Sequence, residues 1–148
     1  GKVWSNDWQY VKNEIEAVNT ICKNNNALLK VIFENDFLPN DEYKIKLTQL
    51  CCEIGVAFVK TSTGYGYTKQ SDGTMATRGA TLHDCSLMIQ HAGNKMQVKA
   101  AGGIRTLSDV LQFKNIGVTR IGATATEAIM QEIKTGILQN QTIPNYNY

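Results

Sequence analysis

Short apolar runs and amphipathic helical patterns alternate four times along this chain, and that alternation leaves few folds open to it. Residues 27–34 form the first run, β-branched at Val31 and Ile32 and bounded by polar loop residues, which reads as a strand buried on both faces. Residues 56–59, 96–99 and 118–121 repeat the pattern. Each run leads into a helix. One starts at about Asp41, with Tyr43, Leu47, Leu50 and Ile54 on one side and Gly55 as its stop; another opens at Thr81, with Asp84 at capping-box spacing. A third opens at Thr106 with Asp109 and closes at Gly117, and a last one turns Ala125, Ala128, Ile129 and Ile133 inward. A helix lined by Trp8, Val11, Ile15, Val18 and Cys22 precedes them all. The order α followed by four β/α units calls for a parallel sheet with right-handed crossovers.

In such sheets ligands bind at the carboxyl ends of the strands, whether the sheet is open or closed into a barrel. No dinucleotide-binding or P-loop glycine pattern stands at any of those turns. A formal charge of +2 is too small for the broad basic field of a nucleic-acid binder. No stretch approaches the roughly 20 apolar residues that span a bilayer, and the start carries no signal-peptide core, so a cytoplasmic protein without membrane contact is expected. Cys22, Cys51, Cys52 and Cys85 form no C-x-x-C pair and are expected to be reduced and mostly buried, with no metal.

Chemistry is concentrated at the strand ends. Lys30 lies within the first run, while Lys60 and Lys99 end the second and third. A single lysine there reads as a strand-end cation reaching solvent. Three at one sheet edge depress one another, and a neutral amine is the form that attacks a carbonyl to give a Schiff base. The adjoining loops add Thr63 and Gly64, Gly102, Gly103 and Arg105, and Gly122 and Thr124, a set of hydroxyls, open backbone N–H groups and helix starts suited to a phosphate. Each also has a plainer reading: Gly102–Gly103 as a turn, Thr124 with Glu127 as a capping box, Arg105 as a surface charge. Glu34 reads as a partner of Lys30, a proton carrier or a structural residue. The polar loop 65–79 is long enough to be a lid, with Tyr65 and Tyr67 as its cover.

Four segments carry a family likeness: 29–34 (Leu-Lys-Val-Ile-Phe-Glu), 58–66 (Phe-Val-Lys-Thr-Ser-Thr-Gly-Tyr-Gly), 98–105 (Val-Lys-Ala-Ala-Gly-Gly-Ile-Arg) and 120–123 (Arg-Ile-Gly-Ala). In this order they resemble the deoxyribose-phosphate aldolase family, over nearly all of the chain up to about Leu138. The resemblance implies a TIM (β/α)8 barrel and a lyase of nucleoside catabolism. Such an enzyme cleaves 2-deoxy-D-ribose 5-phosphate reversibly to acetaldehyde and glyceraldehyde 3-phosphate, without metal or cofactor. It makes Lys60 the Schiff-base lysine and Lys99 the neighbour that lowers its pKa. Thr63, Gly64, Gly102, Gly103, Arg105, Gly122 and Thr124 become the substrate and phosphate loops, with Lys30 in support. Ala125 departs from members that have a second serine there.

A complete barrel takes about 250 residues, so four β/α units are half of one. Residues 1–138 are expected to form the carboxyl-terminal half and 139–148 an irregular tail. The resemblance places the family's proton-relay aspartate on a strand with no counterpart here. A lone half would expose two strand edges, around Lys30 and Ile121, and an apolar inner face. It would need the missing amino-terminal half or a second copy. The alternative to an aldolase is a non-catalytic half barrel that binds phosphosugars or serves assembly; another phosphosugar enzyme on the same barrel would share the lysine logic.

Overall fold

The computed structural model describes residues 1–138, and the tail expected at 139–148 lies outside the described residues. Helix α1 (Trp8–Asn24) is followed by strand β1 (Lys30–Ile32), a 3-10 turn (Asn35–Phe37) and helix α2 (Asp41–Ile54). Strand β2 (Phe58–Lys60), a small antiparallel hairpin of β3 (Thr68–Lys69) and β4 (Met75–Ala76), and helix α3 (Leu82–His91) come next. Strand β5 (Gln97–Ala101), helix α4 (Leu107–Asn115), strand β6 (Arg120–Gly122) and helix α5 (Thr126–Leu138) complete the order. The long loop expected at 65–79 therefore has structure of its own. No helix among the described residues is long and apolar enough to cross a membrane.

The four strands β1-β2-β5-β6 form one parallel sheet in sequence order. Because side chains alternate along a strand, each strand is divided between two faces. Val31, Val59, Val98, Ala100 and Ile121 face the helices and join the hydrophobic core with Leu47, Leu50, Cys51, Met88 and Phe113. The opposite positions are Lys30, Ile32, Phe58, Lys60, Gln97, Lys99 and Arg120. An apolar inner face was expected, and the structure corrects this: the face mixes four cations with apolar and small residues, and its buried Phe58 ring lies under the Arg120 guanidinium, 3.9 Å from the ring centroid. Among the described residues β1 and β6 each pair on one side only, so both edges stand open as expected.

Three sequence expectations change. The first strand is not buried on both faces: Leu28 and Ile32 are exposed. In α1, Val18 is exposed and Asn19 takes the inward place, donating from its amide to the carbonyls of Ile54 and Gly55 and so closing the end of α2. In α5, Ile129 is buried while Ala128 faces solvent.

The helix starts explain why the units are set as they are. Thr106 and Asp109 form a full capping box on α4, with each side chain taking the other's backbone N–H. At α3 only half of the device forms. Thr81 accepts the N–H of Asp84, but the Asp84 carboxylate turns inward to the Lys44 ammonium at 2.6 Å and to the Asn35 amide at 3.2 Å. Lys44 also reaches Asp41 at 3.1 Å, and His83 bonds the other Asp41 oxygen at 2.6 Å. This polar knot ties α2 to α3. Asp41, His83 and Asp84 lie close enough together to suggest a metal, but the Lys44 ammonium already bonds one oxygen of each carboxylate.

Candidate active site

The register of the sheet sets Lys60 beside Lys99 and Lys99 beside Arg120, with Ile32 completing the row on β1. Three cations therefore share one transverse row on one face. Lys30 stands one step earlier on β1, level with Phe58. Like charges on directly opposed residues of neighbouring strands destabilise a sheet, so a row of this kind is an expense that packing alone does not explain.

The electrostatic result appears at Lys99. Burial comes first among the causes that hold its ammonium below the usual lysine range, followed by the positive charges of Lys30, Lys60 and Arg120. Gly122 makes room for this side chain: a Cβ there would stand 3.1 Å from Lys99 Cε and 3.0 Å from the Ala101 methyl. Gly122 thus borders the lysine as well as the loop that follows β6.

The loop after β2 is held from both sides. Thr61 is fully buried, and its hydroxyl both donates to the Ala101 carbonyl and accepts the Ala101 N–H, each at 3.1 Å, which locks the end of β2 to the end of β5. Thr63 donates its N–H, at 3.1 Å, and its hydroxyl to the Glu34 carboxylate. Thr63 therefore anchors the loop, and of the readings open to Glu34 the structural one is realised. Gly66 lies close beside it: a Cβ there would fall 2.8 Å from Glu34 Oε1 and would push the carboxylate aside. Gly64 has a φ of +91° and open space around it. Tyr65 and Tyr67 are exposed.

Gly102 and Gly103 both have positive φ, +96° and +77°, which permits the sharp turn after β5. Beside them Ser62 is fully buried, and its hydroxyl has no hydrogen-bond partner among the described residues. Arg105 is exposed, and its N–H, like that of Thr106, goes to the Asp109 carboxylate, while Leu107 donates to Glu132. The first amides of α4 are thus taken by protein groups, which leaves the Gly102–Gly103 turn as the better part of that loop for an anion. Thr124 is exposed in the turn before α5. Its capping-box reading is not realised, since α5 begins at Thr126, whose hydroxyl donates to the Ala123 carbonyl.

Sequence reasoning overlooked Arg120 and the polar residues beneath the loops, Asn35, Asp36 and Lys44. Period-two alternation from Gly122 back to Arg120 would have found the first. The others have no signal in sequence, because they depend on contacts between residues some 40 positions apart.

No protein-family model matches the chain. Curated relatives do: it is 44% identical over 133 residues to the deoxyribose-phosphate aldolase of Rhodopirellula baltica, covering 90% of this chain and 51% of that one. It is 42% identical to the Lactococcus lactis enzyme of the same name, covering 88% and 54%. A solved aldolase structure superimposes with a TM-score of 0.79 at 31% identity, covering 95% of this chain and 57% of that one. The tetrameric deoxyribose-phosphate aldolase of Aeropyrum pernix gives a TM-score of 0.70 at 26% identity, covering 84% and 49%. The chain spans about half the length of the curated relatives it matches.

Proposed function

We propose that this chain, a homologue of deoxyribose-phosphate aldolases, carries the Schiff-base half of such an enzyme, a metal-independent lyase acting on 2-deoxy-D-ribose 5-phosphate. The observation that carries this reading is the row of Lys60, Lys99 and Arg120 on one face, with the Lys99 ammonium destabilised by burial and by its neighbours. Lys60 is the nucleophile and Lys99 the neighbouring lysine beside it in the row, and the unprotonated form of the amine is the one that attacks a carbonyl.

The chemistry then follows. The Lys60 amine adds to the aldehyde carbon of the open-chain sugar, and loss of water from the carbinolamine leaves an iminium. The hydroxyl on the third carbon loses its proton, the bond between the second and third carbons breaks, and its electron pair flows into the iminium to give an enamine. Glyceraldehyde 3-phosphate departs. Protonation of the enamine and hydrolysis release acetaldehyde and restore the amine. Gly64, Gly102, Gly103 and Gly122 border the strand ends at which the phosphate binds, with Thr124 and Arg105 at the rim and Lys30 adding positive charge. Thr63 serves by shaping its loop.

The two open strand edges and the coverage of about half of each relative favour a complementary amino-terminal half as the partner that completes the site. Acetaldehyde release from 2-deoxyribose 5-phosphate tests this, in the 148-residue chain alone and mixed with the amino-terminal half of the Rhodopirellula baltica relative. Turnover in the mixture that disappears with Lys60→Met supports the proposal. Sugar-phosphate binding without turnover in either sample favours the non-catalytic module.

A further inference from the structure

We propose that Asp36 is a positioning residue for the anion-binding edge of the site, acting through the contact between Gly79 and Gly102. This rests on the reading of the Gly102–Gly103 turn as the phosphate loop. Asp36 lies in the 3-10 turn after β1, and its carboxylate side chain is almost wholly buried. Three donors from the far end of the β2–α3 loop converge on it: the Thr77 hydroxyl at 3.0 Å, the Arg78 N–H at 2.7 Å and the Gly79 N–H at 3.1 Å. A buried carboxylate with this many donors fixes its loop firmly, because each bond is charge-assisted.

What the carboxylate fixes lies against the site. Gly79 has a φ of +66°, and a Cβ on it would fall 2.6 Å from the Gly102 carbonyl carbon and oxygen, so the two backbones touch with no room between them. The next residue, Ala80, donates its N–H to the Gly102 carbonyl at 3.0 Å. Gly102 in turn adjoins Ser62, whose Cβ lies 3.5 Å from where a Gly102 Cβ would stand. One carboxylate on the loop after β1 therefore sets, through the loop after β2, the height of the turn after β5. Glu34, two residues earlier, holds the near end of the same β2–α3 loop through Thr63. A single short turn thus spaces three of the strand-end loops.

The test separates phosphate binding from lysine chemistry. In the 148-residue chain, inorganic phosphate is titrated while the backbone amide resonances of Gly102 and Gly103 are followed, and acetaldehyde with borohydride is used separately to alkylate Lys60. Asp36→Asn, which turns an amide group towards donors, is expected to shift the Gly102 and Gly103 resonances and weaken phosphate binding about tenfold, the scale of one lost charge-assisted hydrogen bond. Alkylation of Lys60 by acetaldehyde, which has no phosphate, stays unchanged. Thr77→Val, which removes one of the three donors and keeps the carboxylate, is expected to weaken phosphate about threefold and serves where Asp36→Asn fails to fold. Parental phosphate affinity in a folded variant overturns the proposal, as does a parallel loss of both readouts in proportion to unfolded protein, or a parent chain that binds no phosphate at these glycines. A parent chain that binds phosphate but shows no alkylation of Lys60 tells instead against the aldolase reading.

Discussion

The side chain of Lys99 passes close beside the space that a Cβ on Gly122 would occupy, with Lys99 Cε 3.1 Å from that position. The close approach joins the loop after β6 to the amine at the end of β5. Gly122→Ala is expected to press the new methyl against that of Ala101, 3.0 Å away, and to displace the more flexible Lys99 amine from its row. The expected outcome is a tenfold or greater fall in kcat for the assembled enzyme with a much smaller change in KM, a misplacement effect on the reacting group. Steady-state kinetics check this.

The depressed pKa of Lys99 has a consequence for stability with a definite sign. The folded chain binds a proton at Lys99 less readily than the unfolded chain, so stability rises with pH between the folded value and the ordinary lysine value of about 10.4. Below the folded value the full penalty applies. Lys99→Met is therefore expected to be more stable than the parent at pH 7, with the difference shrinking towards pH 10. Urea unfolding at a series of pH values measures it.

Lys44 and Asp84 form a buried pair, 2.6 Å apart. Asp84→Ala leaves the Lys44 ammonium enclosed with only Asp41 beside it, and the expected loss is about 3–5 kcal/mol. A double variant with apolar residues at both positions is expected to recover most of that loss, because it is the unpaired charge that is costly. Denaturant unfolding of the two single variants and the double variant gives the coupling directly.

Burial pushes the thiols of Cys51 and Cys85 up to about 12, the neighbouring Cys52 and Asp84 adding to the respective shifts. Both are fully buried, whereas Cys22 and Cys52 are half-buried. Iodoacetamide at pH 8 is expected to label Cys22 and Cys52 well before the other two, and all four at similar rates in denaturant. Peptide mass spectrometry resolves the order.

The β/α order was legible in the sequence because each strand run and helix stripe has its own period, and the register of Lys60 with Lys99 follows from two similar strands laid side by side. The character of the inner face was misread. The runs were judged by their apolar content, and with strands only three to five residues long the alternation that sends Val59 and Val98 outward and the lysines inward is brief. Thr63 was read as a substrate donor because its loop is rich in hydroxyls; only the fold brings Glu34 to it across 29 positions. The Asp36 clasp and the Lys44 network could not be read at all, since their partners lie about 40 residues away and share no pattern with them.

Lys60 as the nucleophile, with Lys99 beside it in the row, is the assignment on which the proposed chemistry turns. Borohydride reduction of the folded chain in the presence of acetaldehyde, followed by peptide sequencing in the mass spectrometer, tests it most directly. The expected result is an ethyl group on Lys60, strongly reduced in Lys99→Met. Alkylation on Lys99 in preference to Lys60, or spread evenly over the surface lysines, would contradict the account.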